Sequence, residues 1–214
     1  MESQLNAWNS LYKQQEDRNK ELQEEVTALH DLFQKNKVQN ILDLGCGSGR
    51  YLLHFAKLGY TLSGIDISGE AIKQLTERLA AENLQADLQC ADMIQLSWQD
   101  NFFDAILSIR VIEHNELSSI RMIIKDVYRV TKAGGYFFIN IKKYPPWKDW
   151  KDGKFARIDD HLYAPTEGPE KGIIHYFFTK AELEELFADF SIINLAEDKK
   201  RQHYCLLLNK NNSK

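Results

Sequence analysis

The run from Ile41 to Arg50, ILDLGCGSGR, constrains the fold of this chain more than any other segment. Its apolar first half is typical of a buried strand, and it passes directly into a glycine-rich turn and a helical segment that ends near Lys57. Glycines lack a Cβ, so they allow a tight bend and a close approach of the backbone to a ligand. In doubly wound α/β sheets, ligands bind at the carboxyl ends of the strands, beside such turns. We therefore expect a ligand site above Gly45–Gly49.

Strands and helices alternate along the middle of the chain. Short apolar runs predict the strands, and apolar residues at helical spacing, such as Ile72, Leu75 and Leu79, predict the helices between them. This alternation indicates right-handed βαβ units, and hence a doubly wound, mainly parallel α/β sheet with helices on both faces. The predicted strands cover residues 38–44, 62–67, 84–90, 103–108 and 136–141, and the predicted helices cover residues 50–57, 70–82 and 116–131.

The two ends of the chain follow other patterns. Residues 4–34 have apolar residues at helical spacing, which predicts one or two amphipathic helices. Residues 142–175 hold all four prolines and show no clear period, which predicts an insertion or lid after the fifth strand.

Thr179 and Glu182 have the spacing of a helix capping box. Strands near residues 190–195 and 203–208 would then complete a seven-stranded sheet. We expect a single domain over 1–214, with a helical cap (1–36), a cofactor-binding core (37–141), a lid (142–176) and a closing helix and strand pair (177–214).

Composition excludes several other classes of protein. The chain has 214 residues and a net charge of -4, which suits one globular domain and argues against a generic nucleic-acid surface. Cys46, Cys90 and Cys205 lack the paired spacing of a zinc site or a disulfide framework, so we expect no metal and a reducing, cytoplasmic location. We find no secretory leader, and no apolar run approaches the roughly 20 residues that cross a bilayer, so no membrane association is expected. Oligomeric state is not indicated.

The glycine turn departs from the dinucleotide-binding fingerprint. That fingerprint is G-x-G-x-x-G, whereas here the third glycine comes one place early and Arg50 stands where it belongs, which disfavours NAD. An acidic residue followed by G-x-G-x-G resembles instead the first motif of the class I S-adenosylmethionine-dependent methyltransferases. The resemblance implies S-adenosylmethionine as the cofactor and methyl donor. It places Asp43, Gly45, Cys46, Gly47 and Gly49 at the donor site, with Cys46 as a small filler.

Further motifs of that family follow in the expected order over residues 38–141. Asp66, before Ile67, ends the second strand about twenty residues beyond the turn, where a carboxylate can accept hydrogen bonds from both ribose hydroxyls. Asp92 and Met93 resemble the position at which the family binds adenine. The segment that begins with Ile109 and Arg110 and ends at His114 resembles the segment that borders the methionine moiety. Trp8 and Tyr12, spaced by four, are predicted to close the donor pocket, although core packing is an equally good account.

The acceptor side is less constrained. His114 follows the fourth strand and His175 precedes the Thr179 helix, so both are candidates for acid–base catalysis, with a purely structural role as the alternative. His175 and Tyr176 form a His-Tyr pair that resembles residues lining the family's acceptor cavity, which makes Tyr176 a candidate substrate contact. His161 and Tyr163 are further candidate substrate contacts.

Some classes of acceptor are disfavoured. Family members that methylate exocyclic amines typically carry an Asp/Asn-Pro-Pro-aromatic tetrapeptide directly after the fourth strand. In this chain Ser108–Val111 stands there instead, which disfavours such acceptors. Residues 142–157 mix lysines with aromatic residues, which fits either a lid over a small substrate or an RNA contact. The leading hypothesis is transfer of a methyl group to an O, N or C atom of a small-molecule acceptor. An RNA-modifying methyltransferase and a non-catalytic donor-binding module are the alternatives.

Overall fold

The protein was analysed as a computed structural model that describes residues 2–14, 22–145 and 154–211. Three helices come first, and strands and helices then alternate. The helices are α1 (Glu2–Gln14), α2 (Glu24–Thr27), α3 (Leu29–Lys35), α4 (Arg50–Lys57), α5 (Gly69–Ala81), α6 (Leu117–Val130) and α7 (Lys180–Leu186). The strands are β1 (Asn40–Leu44), β2 (Thr61–Asp66), β3 (Asp87–Cys90), β4 (Phe103–Ile109), β5 (Thr131–Lys142), β6 (Phe155–Arg157), β7 (Leu162–Pro165), β8 (His175–Tyr176), β9 (Ser191–Asp198) and β10 (His203–Asn209).

Seven of these strands form one twisted sheet in the order β3-β2-β1-β4-β5-β10-β9. Strands β1 to β5 pair in parallel, and β10 pairs antiparallel with both β5 and β9. The strand order reverses between β1 and β4, so the carboxyl ends of these strands open the crevice in which doubly wound folds bind ligands. The doubly wound, mainly parallel seven-stranded sheet expected from the sequence is confirmed.

The core has two layers because successive strand residues point to opposite faces of the sheet. On one face, Leu42 and Phe137 are buried beneath α6 and α7. On the other, Ile41 and Phe138 are buried beneath α3, α4 and α5. Burial of each such side chain contributes about 1.5–3 kcal/mol relative to exposure. Among the described residues, we find no helix with the length and apolar character needed to span a bilayer.

The largest difference from expectation lies after β5. Where the sequence predicted an insertion or lid and no strands were assigned, β6, β7 and β8 form a small antiparallel sheet. These strands have only two to four residues each, too few for an alternating pattern to be visible. Strand β5 is also longer than predicted, since it begins at Thr131 rather than near Tyr136. Strand β3 is shorter, because it begins at Asp87 rather than Leu84.

Candidate functional site

The glycine turn after β1 is tightly enclosed by two distant segments. Gly45 and Gly47 have φ angles of 72° and 54°, in the left-handed region that side chains disfavour. A Cβ at Gly45 would lie 2.3 Å from Val111 Cγ1, and a Cβ at Gly47 would lie 2.4 Å from the Tyr12 hydroxyl oxygen. The absence of these β-carbons therefore makes room for α1 and for the segment after β4.

Asp66, at the end of β2, holds this turn in place. One carboxylate oxygen accepts a hydrogen bond from the Gly47 backbone N–H, and the other accepts one from the Ser68 N–H, both over 2.9 Å. Burial raises the pKa of Asp66, and the two hydrogen bonds oppose that shift. The carboxyl of Asp43 is also buried, and burial together with the Asp66 charge raises its pKa to about 7, against the opposing charge of Arg50.

These residues border a cavity of about 750 Å³ at the carboxyl edge of the sheet. The structure brings together there nearly all of the residues for which the sequence predicted donor contacts. Gly49 is the exception, because it caps the start of α4 and a Cβ there would lie 2.2 Å from Leu75 Cδ1. The predicted donor residues that line the cavity are Trp8, Tyr12, Asp43, Gly45, Cys46, Gly47, Asp66, Ile67, Asp92, Met93, Ile109 and Arg110.

Helix α1 closes one side of the cavity. Gln4, Trp8 and Tyr12 line it at a spacing of four residues, which places them on one face of the helix. Gln4 Oε1 accepts a hydrogen bond from the Ile174 N–H over 2.9 Å, beside β8. Asn9 Oδ1 accepts one from the Ser68 hydroxyl over 2.8 Å, beside β2. The helix is therefore attached to both ends of the cavity.

Glu113 is a further buried acid that borders the cavity. It lies in the 3₁₀ turn Ile112–His114 that follows β4, and it is completely buried although it lines the cavity. Neither carboxylate oxygen has a hydrogen-bond partner among the described residues. Burial raises the pKa of Glu113 to about 7, although the positive charges of Lys142 and Arg110 oppose the shift. Sequence reasoning missed this residue, and the available signal was an acid that interrupts an apolar segment directly after a strand.

Of the two candidate catalytic histidines, only His114 lines the cavity. Its ring packs edge-on against Trp8 and against His175, with centroids 5.0 and 4.6 Å apart. Its Nδ1 lies 3.1 Å from the Ile174 carbonyl oxygen, so the proton of the neutral ring is on Nδ1 and Nε2 carries the lone pair. Burial and the neighbouring His175 hold the pKa of His114 well below its usual value. His175 is fully buried behind it, with Nε2 3.3 Å from a Glu170 carboxylate oxygen.

The structure does not bring the three candidate substrate residues to the cavity. His161 Nδ1 lies 2.9 Å from Glu182 Oε1, and the Tyr176 hydroxyl donates to the same oxygen over 2.7 Å. Tyr163 packs edge-on against Phe177, with centroids 5.5 Å apart. Each of these side chains has a partner within the fold. We therefore do not retain them as acceptor contacts.

The basic and aromatic segment after β5 is described only in part. Lys142 lines the cavity, and Lys143 forms an ion pair with Glu197. Residues 146–153, which include Trp147 and Trp150, lie outside the described residues.

Comparison with known proteins shows that part of this chain is similar to methyltransferases. Residues 41–135 match the family described as a methyltransferase domain. Ajmaline N-methyltransferase of Rauvolfia serpentina is 34% identical over 108 residues, which is 49% of this chain and 36% of that protein. Ubiquinone biosynthesis O-methyltransferase of Bartonella tribocorum is 30% identical over 110 residues, which is 51% of this chain and 43% of that protein. The aligned regions thus span less than half the length of either relative.

Solved structures resemble a larger part of the chain. A SAM-dependent methyltransferase from Methanosarcina mazei superposes with a TM-score of 0.74 at 24% identity, covering 87% of this chain and 98% of that one. The 1,6-didemethyltoxoflavin-N1-methyltransferase of Burkholderia thailandensis, solved with its acceptor and S-adenosylhomocysteine, gives a TM-score of 0.65 at 18% identity, covering 88% and 78% of the two chains. The fold is that of a class I methyltransferase, and the order of the motifs agrees with the family model over residues 41–135. Residues 41–135 are thus similar to S-adenosylmethionine-dependent methyltransferases, which is the resemblance that the sequence motifs predicted.

Proposed function

We propose that this protein transfers the methyl group of S-adenosylmethionine to an O, N or C atom of a small-molecule acceptor. The observation that carries the proposal is one cavity that is lined by the glycine turn, by the buried Glu113 and by the half-buried His114. Its volume of about 750 Å³ lies within the range of about 300–1,000 Å³ that is typical of small-molecule sites.

The residues at the glycine turn fit the donor. A carboxylate has about four acceptor sites, so Asp66 retains capacity for the ribose hydroxyls after it accepts its two backbone hydrogen bonds. Asp92 and Met93 line the cavity beyond β3, where we place the adenine. Asp43, Ile109 and Arg110 line the part in which we place the methionine moiety. The donor supplies a methyl group on a sulfonium, which is already activated for displacement.

The protein's contribution is then mainly positioning. Alignment of two bound reactants lowers a barrier by about 7–11 kcal/mol, and it requires that both be held in one enclosed space. Helix α1 supplies that enclosure, because its Gln4, Trp8 and Tyr12 face the cavity and its hydrogen bonds reach both ends of it. We propose that His114, with its Nε2 lone pair, orients the acceptor.

A small molecule is the acceptor class that the relatives favour. Their names specify ajmaline, ubiquinone biosynthesis and tocopherol, with nitrogen or oxygen as the methylated atom in each enzyme's own name. Four of the ten basic and aromatic residues in 142–157 that would favour RNA lie outside the described residues. Among the other six, Lys142 lines the cavity and Lys143 forms an ion pair with Glu197, so neither forms a free basic surface.

Two measurements test the proposal. Calorimetric titration should show binding of S-adenosylmethionine and S-adenosylhomocysteine and no binding of NAD. Incubation with methyl-labelled S-adenosylmethionine and a small-molecule metabolite extract should then give a labelled low-molecular-weight product. Binding of NAD in place of the methyl donor would overturn the donor site. Tight donor binding without any labelled product would identify a non-catalytic binding module, and label in RNA would identify the other acceptor class.

A further inference from the structure

Glu113 is a buried acid that the fold does not satisfy. It is completely buried, and neither of its oxygens meets a hydrogen-bond donor among the described residues. A buried polar atom without a partner costs about 1–3 kcal/mol, and more when the group is charged. Native structures contain few such groups, and a catalytic role is one of the reasons for which they are retained.

Two basic residues near Glu113 partly offset the cost that burial imposes on its ionised form. Arg110 and Lys142 bring positive charge near the carboxylate, and Glu170 is the acidic group that faces the same cluster. All four residues line the cavity. The site therefore holds, at the wall of the cavity, a carboxyl group whose oxygens have no hydrogen-bond partner among the described residues.

The position of Glu113 also links it to the donor. The segment 110–114 crosses directly over the glycine turn, since Val111 occupies the space in which a Gly45 side chain would lie. Glu113 lies two positions after Val111 in this segment, and we therefore place it near the reacting end of the donor.

We propose that Glu113 is the catalytic base, and that the acceptor is therefore a compound whose nucleophile is a proton-bearing nitrogen or oxygen, an amine or a hydroxyl. This inference rests on the proposed methyl transfer. The N–H or O–H donates a hydrogen bond to Glu113, and the nitrogen or oxygen lone pair forms the new bond to the methyl carbon. The electrons of the broken C–S bond remain on sulfur, which becomes neutral, and the acceptor proton passes to the Glu113 carboxylate. An acceptor whose nucleophilic atom carries no exchangeable proton does not require Glu113 as a base.

His114 is less suited to take the proton. Its pKa is held well below the usual value by burial and by His175, so it is a weak base at neutral pH. The pKa of Glu113 is raised to about 7, which is the range in which a general base is most effective. His114 is accordingly a positioning residue, fixed between Trp8 and His175.

The donor analogue sinefungin tests this placement without a known acceptor. It carries an amine-bearing carbon in place of the methylated sulfonium, so its ammonium group projects toward the acceptor site. We expect wild-type protein to bind sinefungin more tightly than S-adenosylhomocysteine. Glu113→Gln should weaken sinefungin binding by roughly 10- to 150-fold, the effect of losing a charged hydrogen bond. Binding of S-adenosylhomocysteine to the same variant should be unchanged.

Matched variants complete the experiment. Glu184→Gln, on the exposed face of α7, should leave both affinities unchanged, and His114→Gln should keep the preference for sinefungin. In wild type, that preference should increase as pH rises through about 7. Equal affinity of sinefungin for wild type and Glu113→Gln would overturn the assignment, as would a preference that disappears in His114→Gln instead. Equal weakening of both ligands in Glu113→Gln would show a structural role only. Failure of wild type to bind either ligand would instead refute the proposed methyl-donor site.

Discussion

A hydrogen bond of 2.9 Å joins the Asp66 carboxylate to the Gly47 backbone N–H, so the end of β2 and the turn after β1 are one structural unit. The residue proposed to bind the donor ribose also sets the conformation of the turn beneath the donor. Asp66 also accepts a hydrogen bond from the Ser68 backbone N–H, so it holds the start of α5 as well as the turn.

Replacement of Asp66 by Ala should therefore weaken donor binding. Loss of charged hydrogen bonds worth about 1.5–3 kcal/mol corresponds to roughly 10- to 150-fold in affinity. Isothermal calorimetry with S-adenosylhomocysteine measures the effect, and Asp100→Ala, an exposed acid that pairs with Arg129, is the control. Unchanged affinity in a folded Asp66→Ala protein would mean that the ribose is bound elsewhere.

Gly47→Ala should abolish donor binding because its Cβ would overlap the Tyr12 hydroxyl, 2.4 Å away. Gly59→Ala is a matched control, since Gly59 also has a positive φ, of 89°, but has open space around its Cβ position. Both variants should lose about 1–2 kcal/mol of stability from the left-handed backbone, measured by urea denaturation. Only Gly47→Ala should lose the donor, and similar binding by the two variants would contradict this account of the turn.

Asn9→Ala should loosen helix α1. It removes the 2.8 Å hydrogen bond from Ser68, which contributes about 0.5–1.5 kcal/mol. We expect faster amide exchange in residues 2–14 and donor binding weaker by roughly 2- to 12-fold. Asn6→Ala changes an exposed residue of the same helix and should alter neither quantity. If donor affinity is the same in both variants, attachment of α1 at this point does not contribute to the site.

Stability of the ligand-free protein should fall as pH rises from about 4 to 7. Asp43 has a pKa raised to about 7, so in this interval the folded state binds a proton that the unfolded state has released. The stabilisation that comes from this proton is fully present below the unfolded pKa of about 3.9. It is lost as pH rises through the folded pKa, and the free energy of unfolding then falls by at most about 1.4 kcal/mol per pH unit. Asp43→Asn should flatten this part of the profile of unfolding free energy against pH. An identical profile for the variant would show that Asp43 ionises normally.

Glu182→Ala should destabilise the protein without affecting donor binding. Glu182 accepts hydrogen bonds from the Thr179 N–H, the Thr179 hydroxyl and the Tyr176 hydroxyl, over 2.8, 2.7 and 2.7 Å. Loss of this cap should lower the free energy of unfolding by about 1–3 kcal/mol. Glu184→Ala, exposed on the same helix, should change it by less than about 0.5 kcal/mol. A loss of donor affinity in Glu182→Ala would show that this cluster supports the cavity.

That the predicted donor residues would lie together could be expected from the sequence, because they follow one another in a fixed relation to the strands. Asp43 and Asp66 end neighbouring parallel strands, so the strand pattern alone brings them to one edge. Position along the chain could not show that Glu182 engages His161 and Tyr176, because that cluster depends on how α7 packs against β7 and β8. Glu113 was missed for a related reason, since burial of an acid between distant charges is a property of the folded chain.

The contact between Gly45 and Val111 has a kinetic consequence. The donor turn supports the segment that contains Glu113, so a donor that orders the turn also completes the wall against which the acceptor binds. We expect the two substrates to bind in a compulsory order, with S-adenosylmethionine first and S-adenosylhomocysteine released last. Product inhibition by S-adenosylhomocysteine would then be competitive toward the methyl donor and noncompetitive toward the acceptor.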